Sequence, residues 1–234
     1  LNAWKKLLES SEEVARELLP TCVRCGECCR LSSPTLQKDD LELVVGQKIP
    51  WNQLMTLRRG EAVRSPFERM PIFLDEDRIK IREKEGSHEC VFFDAENEAC
   101  GIYDNRPVQC RAQACWDPKL AEALAKKPFI TRWDILKGVD LLLELIDEHD
   151  RRCSFHRLNE AFTKLEETKG ESVNEVLDLM AYEDHFRRFL GDKLNIPADT
   201  LDLIFGRSYA DLAALFGFKV VVDEDGSRCL VLDR

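Results

Sequence analysis

Four thiols fall within eight residues, Cys22-Val-Arg-Cys25-Gly-Glu-Cys28-Cys29, and no other stretch constrains the folding of this chain as tightly. Two residues between thiols let a tight turn aim both sulfurs at one centre, the spacing that recurs around zinc and iron–sulfur clusters. Gly26 lacks a Cβ and reaches positive φ, so the backbone can fold around a bound group and turn N–H groups toward sulfur. On a helix of about 3.6 residues per turn, Cys22, Cys25 and Cys29 would share a face and Cys28 would sit about 100° from Cys29. Cys28 and Cys29 therefore need not serve one metal.

The chain holds ten cysteines: these four, then Cys90, Cys100, Cys110 and Cys115, with only Cys153 and Cys229 beyond. At about 4% of residues this is below the ~8–10% of a disulfide scaffold. With no secretory signal in the N-terminal residues, the clustered thiols predict metal or redox chemistry rather than disulfides. The eight clustered thiols suffice for one four-thiolate site with four to spare, or for two sites. Arg24, Arg30, Arg106 and Arg111 flank them, where cations would stabilise thiolates and donate hydrogen bonds to cluster sulfur. Cysteines at i, i+4 and i+7, as in radical enzymes that use S-adenosylmethionine, are absent. So is the bacterial ferredoxin run, because Ser32 stands where its next cysteine would be. No second Cys-x-x-Cys completes a zinc ribbon, and a thioredoxin-like pair would need a strand before Cys22 where a helix is expected.

The 234 residues, 44% hydrophobic and 33% charged with 11 Gly and 9 Pro, describe a folded chain with a real core. A net charge of −10 disfavours nucleic acid as a partner. The longest apolar stretches fall far short of the ~20 residues that span a bilayer, so no membrane is expected and a cytoplasmic location is. Periodicity predicts a helix over 3–19 ended by Pro20, a short helix over 39–45, and a weaker one over 53–63. Extended segments follow at 72–74 and 79–82, then a hairpin of 90–93 with 99–103 that places Cys90 and Cys100 on facing strands. Helices are expected at about 117–126, 131–149, 155–169, 172–191 and 198–216, with Thr131 and Ser172 as caps. A closing hairpin joins 218–222 to 229–232. The expected class is α+β, mostly α: a cysteine-rich region over 1–116 carrying a small hairpin, packed on a helical region over 117–234 as one unit.

In order, Cys22-Val-Arg-Cys25-Gly-Glu-Cys28-Cys29-Arg30, Cys90-Val-Phe-Phe-Asp94 and Cys100-Gly-Ile-Tyr-Asp-Asn-Arg106-Pro107-Val-Gln-Cys110-Arg111 resemble the CxxCxxCC cysteine-cluster family of YkgJ type, described as zinc- or iron-chelating. The resemblance covers about residues 20–112. It implies an iron–sulfur or zinc centre with Cys22, Cys25, Cys28, Cys29, Cys90, Cys100 and Cys110 as ligand candidates; Cys115 matches no family position. The family's cysteine domain also occurs in flagellin lysine N-methylases, which makes a protein-modifying enzyme with a protein substrate an alternative.

Other polar residues have plainer readings. Cys153 and His156 are spaced like half a zinc site but fit a core cysteine beside a surface histidine. His88 reads as a solvated loop residue and Cys229 as a buried apolar one. Trp116 and Trp133 read as core, while Glu12-Glu13 and Arg187-Arg188 read as solvated turns of helix. No glycine-rich phosphate loop, His-Glu-x-x-His or Gly-x-Ser-x-Gly is present. The expected function is a metal-binding protein holding a four-iron, four-sulfide (4Fe-4S) cluster in a structural or electron-transfer role, with a structural zinc module that engages a protein partner as the alternative.

Overall fold

The computed structural model describes residues 4, 6, 24–64, 70–114, 117, 119–223 and 228–233. The expected helix over 3–19, with Glu12-Glu13, and the positions of Cys22, Cys115 and Trp116 lie outside these residues. The class is α+β and mostly helical.

The chain enters through α1 (Glu27–Leu31), continues extended, and forms α2 (Leu41–Val45) after a 3-10 turn at Lys38–Asp40. The segment over 53–63 is not a helix. It opens with β1 (Leu54–Leu57), turns at Gly60 and continues as β2 (Ala62–Val63). The local helical pattern loses to tertiary pairing: Leu54 and Thr56 are fully buried, and the Thr56 hydroxyl donates to the Leu203 carbonyl at 2.6 Å. β3 (Ile72–Phe73) pairs with β2, while β4 (Arg78–Ile81) runs antiparallel to β1, with Leu54 opposite Ile81 and Leu57 opposite Arg78. In β4 the alternation sends Ile79 and Ile81 inward and leaves Lys80 half-buried. The next hairpin is shorter than expected, β5 (Phe93–Asp94) with β6 (Ala99–Cys100), and Cys90 lies outside it, bridged to Glu83.

Helices then follow one another: α3 (Val108–Ala112), α4 (Lys119–Leu124), α5 (Arg132–Ile135), α6 (Asp140–Arg152), α7 (Phe155–Glu167) and α8 (Val173–Leu194). The helix expected over 131–149 is thus two, broken near Gly138, whose φ is 91°. Thr131 does cap α5, its N–H and hydroxyl both donating to Asp134 at 2.9 Å. Ser172 does not cap α8; its hydroxyl pairs with that of Thr168 at 2.9 Å. The span 198–216 also breaks, into α9 (Leu201–Phe205) and α10 (Tyr209–Leu212) flanked by 3-10 turns. Gly206, with φ 78°, makes that break, and a Cβ there would stand 2.6 Å from Cγ of Arg58. The chain closes on β7 (Phe218–Val222) paired with β8 (Arg228–Leu232).

Two apolar clusters organise the interior. One joins the cysteine region to the helices through Leu36, Ile79, Ile81, Phe93, Ile146 and Phe205. The other lies between α7, α8 and the closing hairpin, where Phe162 stacks on Phe216 with centroids 4.2 Å apart. Charged groups link them. Arg132, 1% exposed, donates through Nε to Asp77 at 2.7 Å and through Nη1 to the Ile204 carbonyl at 3.0 Å, and pairs with Asp150. His149, 0% exposed, sits 3.4 Å from both Asp150 and Glu183.

Arg187 departs from its sequence reading: it is buried, donating to the Gly206 carbonyl at 2.6 Å and to Asp202 at 2.5 Å. The Arg-Arg pair straddles the boundary of an amphipathic helix, one residue in and the other out. Trp133 is 39% exposed rather than core, packed beside the Arg132 guanidinium. Among the described residues, no helix is long and apolar enough to cross a membrane.

Candidate metal centre

The thiol region is assembled by backbone before any side chain is considered. The Cys90 N–H donates to the Cys29 carbonyl at 2.8 Å, so the CxxCxxCC loop and the Cys90 loop are joined at the ligand residues themselves. Cys100 lies opposite Phe93 in the β5–β6 ladder, which brings it back over Cys90. Cys110 sits in the middle of α3, downstream of Pro107.

Gly26 locks this arrangement. It is buried with φ 77°, and a Cβ there would stand 2.5 Å from Cε2 of Phe93, so only glycine lets the loop close on that ring. Arg30 completes the closure, donating to the Cys25 carbonyl at 2.8 Å while its guanidinium lies 4.7 Å above the Phe93 ring. Arg24 and Arg106 both lie over the Tyr103 ring, at 3.8 and 3.5 Å. Arg111 is exposed. The contacts of Arg24 and Arg30 are thus with aromatic rings, carbonyls and, for Arg30, the carboxylates of Glu27 and Glu98.

Electrostatics shows which thiols lie near one another. The Cys29 thiol is pushed up to about 12, by burial first and then by Cys28, Cys90 and Cys100. Cys110 is driven well above the ordinary thiol range by burial and then by Cys90, Cys29, Cys100 and Cys28. Cys90 is raised by burial, with Cys100 adding to it. Every pair among Cys29, Cys90, Cys100 and Cys110 is therefore close enough for charge on one to oppose charge on the other, with Cys28 at the edge and Cys25 exposed. Thiols kept neutral by burial and by one another are what a bound cation would reverse, since metal charge deprotonates its thiol ligands. The donor set is soft and all sulfur, which suits zinc or iron–sulfur. Among the described residues, no group of three or more His, Cys, Asp or Glu side chains is arranged to hold a metal ion.

The remaining candidates separate from this cluster. Cys153 is 0% exposed in the second apolar cluster, and His156 is exposed beside Glu160 at 3.4 Å, as a core cysteine and a surface histidine. His88 is exposed, 3.3 Å from Glu83. Cys229 is half-buried with its sulfur 3.1 Å from Asp223, rather than buried among apolar groups.

Two supports had no sequence signal. Glu83 accepts from the Ser33 N–H at 3.3 Å and from Lys80 at 2.6 Å, and although burial opposes its charge, Lys80 holds its carboxyl below the ordinary value. Asp40, inside the polar run Lys38-Asp39-Asp40, is fully buried.

Fold and site together define a thiol-rich region packed against a helical body. Residues 21–132 match the family model CxxCxxCC, described as a "putative zinc- or iron-chelating domain", the family its motifs resemble. The match runs twenty residues past the last motif, which the structure explains: Ile130 donates to the Leu36 carbonyl and Lys38 to the Pro128 carbonyl, so 128–130 belongs to the frame behind the cysteines. Neither the curated proteins nor the solved structures contain a match to the chain.

Proposed function

We propose that the cysteine region holds a 4Fe-4S cluster on Cys29, Cys90, Cys100 and Cys110, with Cys28 and the exposed Cys25 at its open side. The observation that carries this reading is the mutual proximity of four thiols drawn from the CxxCxxCC loop, the Cys90 loop, β6 and α3. Iron rather than zinc is supported by the surplus of thiols over the four that zinc takes, and by a glycine that brings backbone N–H groups to the loop. When bound, such a cluster supplies one-electron redox chemistry or a structural cross-link. The chain's own residues set its surroundings: Phe93 is buried in the apolar cluster that includes Cys90, Gly26 permits close approach to its ring, and Arg30 fixes the loop by its Cys25 carbonyl bond.

Protein purified without oxygen is expected to show a broad visible absorption band, iron and acid-labile sulfide. Cys29→Ser and Cys110→Ser should lose most of that metal, while Cys153→Ser keeps it. A colourless protein with stoichiometric zinc would replace the cluster by a structural zinc site on the same thiols, and protein lacking both metals would overturn the reading.

A further inference from the structure

Helix α3 is five residues long, and a helix of that length has little stability of its own. Its N-terminus carries Pro107, which offers no side-chain acceptor to the first N–H groups. The acceptor comes from elsewhere. Asp40, 0% exposed and sixty-eight positions earlier, takes the Val108 N–H on Oδ1 at 2.8 Å. Its other oxygen takes the Gln37 N–H at 3.0 Å, in the turn that precedes α2. The local turn needs only Oδ2, so Oδ1 is committed to α3. A second tie runs alongside, from the Thr35 N–H to Oε1 of Gln109 at 2.7 Å.

Both ties come from one strap, residues 33–40, which leaves the CxxCxxCC loop and is itself fastened. Leu36 donates to Ile79 at 2.8 Å, Ile81 to Pro34 at 3.0 Å, and Ile130 to Leu36 at 3.1 Å. Cys29 lies at one end of this rigid path and Asp40 at the other, and from Asp40 the path steps to Val108 and so to Cys110.

We propose that Asp40 is a positioning residue for the thiol centre, capping α3 from the strap and so holding the Cys110 sulfur in register with Cys29. The inference rests on the reading of Cys110 as a ligand. An ionised carboxylate suits the task because its hydrogen bonds to N–H groups are charge-assisted and each oxygen serves a different segment.

The test measures release of the protein's own bound metal to a chelator. Asp40→Ala is expected to release it about 10-fold faster, the scale typical of lost supports behind metal ligands. Asp40→Asn, whose one oxygen can accept from only one of Val108 and Gln37, should fall between Asp40→Ala and the parent. Parental release rates in a folded Asp40→Ala protein would overturn the proposal. Val108→Pro deletes the same bond from the other side at a position where proline is tolerated, since Pro107 is already extended with ψ 159°, and should reproduce the effect if Asp40→Ala fails to fold. Metal-free protein separates this inference from the metal reading itself: there, alkylation of Cys110 should be faster in Asp40→Ala, and an unchanged rate would defeat the clamp whatever the metal.

Discussion

At Gly26 a single added carbon decides whether the cysteine loop can close. Alanine there would combine the cost of φ 77° for a residue with a Cβ, roughly 1–2 kcal/mol, with displacement of the Phe93 ring. Gly26→Ala is expected to melt at lower temperature and to hold less metal, whereas Gly86→Ala, with open space around its Cβ, should show only the backbone cost. Comparing melting and metal content in the two variants separates the ring clash from the strain. The glycine was legible in the sequence because it sits inside the motif, and so were the cysteines. Phe93 as its counterpart was not, being an ordinary aromatic sixty-seven positions away. Asp40 and Arg187 were hidden for a different reason: each sits in a charged run that looks solvated, and only tertiary packing sends one member of the run inward.

Elements were legible where local pattern and tertiary need agree. The closing hairpin, α7 and α8 follow the apolar spacing within a few residues. Disagreement came where partners are remote: 54–57 reads as helix in isolation but pairs with 78–81. The breaks at Gly138 and Gly206 likewise depend on what packs there, Arg58 against Gly206 in particular. Thr131 is a case where a local signal suffices, its capping box with Asp134 initiating a four-residue helix that delivers Arg132 to the interior. Thr131→Ala is expected to cost about 1 kcal/mol in denaturant unfolding and to leave metal content unchanged. Loss of metal in that variant would show that α5 supports the thiol centre as well.

Over the whole molecule, the two apolar clusters are joined by Arg58, Asp77, Arg132, His149, Asp150 and Glu183. Burial alone would raise the Asp150 carboxyl, yet the His149 hydrogen bond and the charges of Arg132 and Arg58 hold it at about 2, below its ordinary 3.8. A carboxyl lowered on folding stabilises the fold above its unfolded value, and that contribution is lost as pH falls from about 4 toward 2. The shift corresponds to roughly 2 kcal/mol. Asp150→Asn should therefore be less stable than the parent at neutral pH, with the difference shrinking toward pH 2 in denaturant titrations. A difference independent of pH would place its cause in packing instead. None of this network was legible beforehand, since its members are scattered from residue 58 to residue 183 and each resembles a surface charge.

The bond from the Cys90 N–H to the Cys29 carbonyl also sets an order of events during biosynthesis. At about 5–20 residues per second, the loop bearing Cys29 emerges some 4–16 seconds before Cys110, and Phe205, which closes the same apolar cluster, comes later still. Through that interval the first thiols stand without the segments that bury them, at a stage when oxidants or metal donors can reach every sulfur. A metal delivered before Cys90 emerges would meet only the CxxCxxCC loop, so the complete set of thiols is a product of late synthesis.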